Sequence, residues 1–158
     1  MRSSIGVDVH KFKDAIPLII GGVSIDYDKG LDGHSDGDVL THAIIDSLLG
    51  GAGLGDIGTF FPSSNHKLKD IDSMILLAET LTIVTKYGWV PVYIDATIIA
   101  QTPTLSPYVL KMKNNLSNCL GILPENVNIK STTTDGLGFL GNSEGIATLA
   151  IATMENII

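Results

Sequence analysis

The 158-residue chain has a single cysteine, Cys119, and a single arginine, Arg2. One cysteine excludes internal disulfides and a four-cysteine structural zinc site. One arginine excludes a pocket that grips phosphates with guanidinium forks. Ten Lys+Arg against seventeen Asp+Glu give a net charge of −7, which excludes the basic face of a general nucleic-acid binder. No apolar run approaches the roughly 20 residues that span a bilayer. Low-complexity linkers, repeats and blocks of like charge are missing too. Asp8 follows Met1 so closely that no signal or transit peptide is expected before it. The expected setting is reducing and cytoplasmic, or an organelle if a leader has been removed.

What the chain does have is apolar mass and aspartate. Hydrophobic residues make up 44% and mean hydropathy is +0.31, which argues for a packed core over disorder. A chain of this length buries about 70% of its unfolded surface, enough for one domain over residues 1–158. Thirteen of the seventeen acids are aspartates, and nine of these lie between Asp8 and Asp56. Phosphate chemistry in such a chain needs positive charge from another source.

Periodicity and turn residues predict the elements. Residues 4–10 alternate as a strand, with Ile5, Val7 and Val9 on one face and Asp8 and His10 on the other. Leu18–Ile20 and Val23–Ile25 flank Gly21-Gly22 as a hairpin. Residues 26–38 read as a loop. A helix is expected from about Asp38 to Leu49, stopped by Gly50-Gly51. Residues 51–70 read as a mobile loop, followed by a helix over about Asp72–Tyr87 and a buried strand over 90–100. Ser106-Pro107 opens a third helix that ends at Gly121. Val127–Thr132 reads as a strand and Glu144–Asn156 as a final helix. The sum is an α+β, two-layer sandwich: a mixed β-sheet with helices on one face.

Three groups of residues carry chemistry. Asp8 and His10 share a strand face, and His42 lies on the following helix. Together they would make a three-ligand metal site with one open position, and Asp46, one turn on, would orient the His42 ring. The simpler alternative leaves Asp8 and His10 exposed at an edge and His42 as an ordinary helix residue. The donor set suits zinc, iron or manganese. Gly33-His34-Ser35-Asp36-Gly37-Asp38 leads into the helix. It reads either as a phosphate-receiving N-terminus, with His34 and Ser35 as donors, or as a plain cap. Lys130-Ser131-Thr132-Thr133-Thr134-Asp135-Gly136 closes a strand with four hydroxyls, fitting a polar cleft that meets an oxyanion or a second cation. Asp135 is a hard ligand of the magnesium kind. His66, beside Lys67 and Lys69, reads as exposed.

Taken together, these residues resemble the 2-C-methyl-D-erythritol 2,4-cyclodiphosphate synthase family. The matching stretches are Gly6-Val7-Asp8-Val9-His10, Gly33–Asp38, Gly55-Asp56-Ile57-Gly58 with Phe61-Pro62, Asp95–Gln101 and Thr132-Thr133-Thr134, in the family's order along essentially the whole chain. The resemblance implies cyclisation of 4-diphosphocytidyl-2-C-methyl-D-erythritol 2-phosphate. Its 2-phosphate attacks its own β-phosphate, and CMP leaves. Asp8, His10 and His42 match zinc ligands, with Asp8 and His10 also beside the substrate. His34 and Thr133 match catalytic positions that stabilise the transition state. Asp56, Gly58, Phe61, Ser63, Ser64 and Asn65 match contacts to the methylerythritol phosphate end, and Ser35 matches a further substrate contact. Ala100, Gln101, Thr102, Pro103, Thr104, Leu105 and Ser106 match the cytidine pocket. Thr132, Thr134, Phe139 and Asn142 complete the substrate set, and Asp135 matches the ligand of a magnesium or manganese ion on the diphosphate.

The resemblance further implies a homotrimer with active sites between subunits, a cytidine diphosphate substrate, and no nucleic-acid or membrane partner. Three positions depart from the family's pattern. Asp135 stands for a glutamate, Asn142 for a phosphate-contacting arginine, and Thr104 for a lysine. Lys130 and the hydroxyl run are expected as minor cationic and polar helpers. Two other readings share the same residues: a phosphoesterase using zinc-bound hydroxide, and a non-catalytic binding module.

Overall fold

The computed structural model describes all 158 residues. Five strands form one mixed sheet. They are β1 (Arg2–Asp14), β4 (Lys29–Leu31), β5 (Trp89–Ile99), β6 (Val127–Thr132) and β7 (Gly145–Asn156), in the spatial order β4-β1-β7-β5-β6. Only β5 and β6 run parallel. β2 (Leu18–Ile20) and β3 (Val23–Ile25) form a separate hairpin. Helices α1 (Val39–Ala52), α3 (Ser73–Lys86) and α4 (Val109–Leu120) provide the second layer, with the one-turn helices α2 (Ile57–Phe60) and α5 (Gly138–Gly141) in connecting loops. The α+β two-layer reading holds.

The core lies between α1 and the sheet. Leu40, Ile44, Ile45, Leu48 and Leu49 are fully buried, as are Ile94, Ile98, Ile146, Ala150 and Ala152 from the sheet. Burial of this apolar surface drives the two layers together. Gly6 lets them meet: a Cβ there would collide with the Ala43 carbonyl and the Ser47 backbone nitrogen. That close approach sets α1 over β1, which brings His42 above Asp8 and His10.

Four elements differ from expectation. The segment 144–156 is β7, the central strand, and not a helix. Its Ala-rich, two-sided apolar sequence reads as helix locally, but neighbours on both edges supply a full ladder with β1 and β5. Small residues such as Ala150 and Ala152 leave room for α1 above it. Helix α1 runs through Gly50-Gly51 to Ala52 and stops at Gly53, which adopts φ 75° and whose N–H bonds back to the helix carbonyls. Gly50 and Gly51 are packing glycines: a Cβ on Gly51 would stand 2.6 Å from Met154 Cγ. The segment 26–38 contains the short strand β4, paired with β1 at Phe12–Asp14. The segment 51–70 holds α2 and a 3-10 turn at His66–Leu68.

Candidate active site

The Asp8 carboxylate and two imidazole nitrogens converge at one point. His10 Nε2 lies 2.8 Å from Asp8 Oδ2, and His42 Nδ1 lies 3.1 Å from the same oxygen. The two ring nitrogens are 3.2 Å apart. A tetrahedral ion with ligand bonds of about 2.0–2.2 Å separates its ligand atoms by roughly 3.3–3.6 Å. The observed triangle is only slightly tighter. One carboxylate oxygen and two imidazole nitrogens are a donor set that a zinc-type ion fits, taking the place of the ring protons that face Asp8.

The far side of each ring is held. His10 Nδ1 donates to the Asp32 carbonyl at 2.5 Å. His42 Nε2 lies 2.9 Å from both Ser35 Oγ and Ser73 Oγ. Partners of this kind fix which ring nitrogen faces a metal. Asp46 does not orient His42: its Oδ1 accepts the Ile57 N–H at 2.7 Å and so anchors α2. Asp38, at the head of α1, is fully buried and accepts from the Thr41, Gly21 and Gly22 amides, tying the hairpin to the helix.

Electrostatics within the triad are strong. Burial alone would raise the Asp8 carboxyl, but hydrogen bonds and the charges of His10 and His42 outweigh it and hold it at about 2. Burial would lower His10, yet the hydrogen bond and charge of Asp8 prevail and raise it. Burial also raises Asp46, and the nearby charges of Asp56 and Asp8 add to that despite the Ile57 hydrogen bond.

A cavity of about 260 Å³ opens beside the triad. Besides Asp8, His10 and His42 it gathers His34, Ser35, Gly58, Phe61 and Ser63 from the expected set, and Asp46. His34 Nε2 donates to the Asn65 carbonyl at 3.1 Å, which ties the 61–65 loop to this wall. Asp56 caps α2 by accepting from Thr59, and Ser64 and Asn65 are exposed on the loop. A second cavity of about 150 Å³ gathers Ala100, Gln101, Pro103, Thr104, Leu105, Ser106, Thr132 and Thr133. Thr102 turns away, bonded to Tyr27 and Ser143.

Close by, Thr133 Oγ1 donates to Asp135 Oδ1 at 3.2 Å, and Thr134 Oγ1 donates to the Leu137 carbonyl. Phe139 is exposed, and Asn142 Nδ2 reaches Glu144 at 3.5 Å. Lys130 is not free to help at an anion. Its Nζ lies 2.6 Å from both Asp95 oxygens. Ser73 and its partner Asp36 are the residues whose place at the triad sequence reading missed. Ser73 lies 31 positions after His42 behind an ordinary helix cap, so no spacing links the two.

The family model for the YgbB family matches residues 1–155. The 2-C-methyl-D-erythritol 2,4-cyclodiphosphate synthase of Clostridium acetobutylicum is 53% identical over 154 residues, covering 98% of this chain and 99% of that protein. Among solved structures, the CDP complex of Plasmodium falciparum IspF is 32% identical, covering 99% of this chain and 97% of that one, with a TM-score of 0.86. The bifunctional IspDF of Campylobacter jejuni aligns with a TM-score of 0.94 at 39% identity over 98% of this chain, which spans only 42% of that longer protein. With the sequence matched nearly end to end and the fold reproduced, the chain belongs to the YgbB family of 2-C-methyl-D-erythritol 2,4-cyclodiphosphate synthases.

Proposed function

We propose that this chain converts 4-diphosphocytidyl-2-C-methyl-D-erythritol 2-phosphate to 2-C-methyl-D-erythritol 2,4-cyclodiphosphate and CMP, in isoprenoid precursor synthesis by the non-mevalonate route. The observation that carries this reading is the convergence of Asp8, His10 and His42 beside a cavity walled by His34, Ser35 and Ser63. An intramolecular attack of phosphate on phosphorus needs alignment and charge neutralisation. It needs no general base, because the attacking phosphate is already ionised.

The chain's own groups divide that work. Ser35 offers a hydroxyl donor toward the phosphates, His34 stands on the same wall with its Nε2–H held by the Asn65 carbonyl, and we assign Asp56 and the 56–65 loop to the polyol end. The backbone around Ala100–Ser106 and the hydroxyls of Thr132 and Thr133 hold the cytidine and its phosphates. Thr133 and His34 are the groups we assign to transition-state stabilisation. Asp8, His10 and His42 would hold zinc, and Asp135 a magnesium or manganese ion. Such ions polarise the phosphoryl group and neutralise charge on the leaving CMP, a role one arginine cannot fill.

We read the active unit as a homotrimer with sites between subunits. The two cavities share no lining residue, and β1 and β6 lie three strand spacings apart, roughly 14 Å. The sheet face away from the helices leaves Ile5, Val7, Val9, Leu149 and Ile151 exposed, as expected of a covered interface. The lone, half-buried Cys119 suits a reducing cytoplasm. No helix is long and apolar enough to cross a membrane.

The test is CMP release from the diphosphocytidyl substrate, with zinc and magnesium supplied and then with a chelator. Release of CMP together with the cyclic diphosphate, abolished by the chelator, is the expected result. A linear phosphate product would instead identify a hydrolase, and no turnover would favour a binding module.

A further inference from the structure

The hydrogen bonds behind His42 form a directed chain. Asp36 Oδ2 accepts the Ser73 N–H at 3.0 Å, and Asp36 Oδ1 accepts the Asp38 N–H at 3.1 Å. Both carboxylate oxygens therefore already act as acceptors of backbone N–H groups. Ser73 Oγ lies 2.5 Å from Asp36 Oδ1, so its hydroxyl proton must point at Asp36. With that proton committed, Ser73 Oγ has only lone pairs left for His42 Nε2, 2.9 Å away. Nε2 must then carry the ring proton and donate it. The consequence falls on the opposite nitrogen: with Nε2–H fixed, His42 Nδ1, 3.1 Å from Asp8 Oδ2 and 3.2 Å from His10 Nε2, is the one ring nitrogen that can offer a lone pair to a metal in the triad.

Ser35 Oγ also sits 2.9 Å from Nε2, but it differs from Ser73 in two ways. It is only partly buried and lines the cavity, whereas Ser73 is fully buried. No carboxylate fixes its proton, which is free to turn to Ser73 Oγ at 3.2 Å or to a phosphate in the cavity.

We propose that Ser73 and Asp36 are positioning residues that keep the His42 ring proton on Nε2, so that Nδ1 is the nitrogen offered to metal, leaving Ser35 free to serve the substrate. This rests on the reading of Asp8, His10 and His42 as a zinc site. Partners behind a metal-bound histidine typically change metal affinity 10–100-fold when removed.

The test uses wild type, Ser73→Ala, Asp36→Asn and His42→Ala. Zinc affinity is measured by competition with a chromogenic chelator, and the His42 tautomer by nitrogen-15 NMR of the metal-free protein. In wild type, the Nε2–H form and tight zinc binding are expected. Ser73→Ala should populate both tautomers and weaken zinc at least 10-fold while its metal-free melting temperature stays near wild type. Asp36→Asn should do the same, because the amide offers one acceptor oxygen, and an NH2 group in place of the other, to three donors, the Asp38 N–H, the Ser73 N–H and the Ser73 hydroxyl, so the Ser73 proton is no longer fixed. Zinc affinity and tautomer in Ser73→Ala equal to wild type would overturn the relay. So would a loss of affinity with the tautomer unchanged. If wild type itself binds zinc no better than His42→Ala, the metal-site reading fails, and the relay with it.

Discussion

A single carboxylate in the candidate site illustrates how residues here balance structure against charge. Asp46 is half-buried, lines the cavity and accepts the Ile57 N–H. Burial and the nearby charges of Asp56 and Asp8 raise its pKa. A raised carboxyl pKa means that the folded state disfavours the charged form. The penalty is therefore full at neutral pH and fades as pH falls through the raised value toward the unfolded one near 3.8. An amide keeps an oxygen for Ile57 but carries no charge. Asp46→Asn should thus stabilise the metal-free protein at pH 7 by about a few tenths of a kcal/mol, a small gain because the group is only partly buried and solvent screens the rest. The advantage should shrink as pH approaches 4. Urea unfolding of both proteins across that range measures it, and an advantage that grows on acidification would contradict the assignment.

Among elements, the contact of α1 with β1 does most to build the site. Gly6 permits it, since any side chain there meets the Ala43 carbonyl and the Ser47 backbone. Those atoms belong to a buried helix and cannot move aside as the end of a flexible side chain can. Gly6→Ala should cost about 3 kcal/mol or more of stability. The fraction that still folds should bind zinc weakly, because His42 is pushed away from Asp8. Urea unfolding and zinc titration together check this; a variant with near-native stability and zinc affinity would refute it.

That element pair also shows what was legible beforehand. The alternation Ile5, Val7, Val9 against Asp8, His10 revealed β1 and its polar face, because strand period is a local property. Asp72 and Gly121 marked helix ends for the same reason. β7 was misread because its partners lie on both sides and far away in sequence, so local propensity had no voice. The Gly50-Gly51 pair looked like a stop, and only its fit against Ser4 and Met154 reveals a packing role. Within the site, Asp8, His10 and His42 could be read as a possible metal triad, and residues lining both cavities lay in stretches that carried the family resemblance. The Ser73–Asp36 relay was not, because hydrogen bonding across 37 positions leaves no spacing to read.

At the scale of the whole molecule, the sheet is covered on one face only. On the other, Ile5 pairs in register with Ile151, Val7 with Leu149, and Leu149 in turn with Thr97, giving an apolar field across β1, β7 and β5. Asp95 and Lys130 form an ion pair on the same side. A monomer in water gains nothing from exposing this surface, whereas burying it against further copies returns about 25 cal/mol per Å². In the trimer we propose, the same association would carry one subunit's second cavity toward a neighbour's Asp8–His10–His42 triad. Leu149→Glu places a charge at the centre of the field on the middle strand. Since Leu149 is exposed in the single chain, the fold itself should lose little. Light scattering on the eluting protein should show a shift from trimer toward monomer. Zinc should remain bound, because Asp8, His10 and His42 all belong to one chain. CMP release should fall by orders of magnitude, because the second cavity no longer meets the first. A monomeric variant that keeps turnover would place the whole site within one subunit, and a variant that stays trimeric would show that the subunits meet elsewhere.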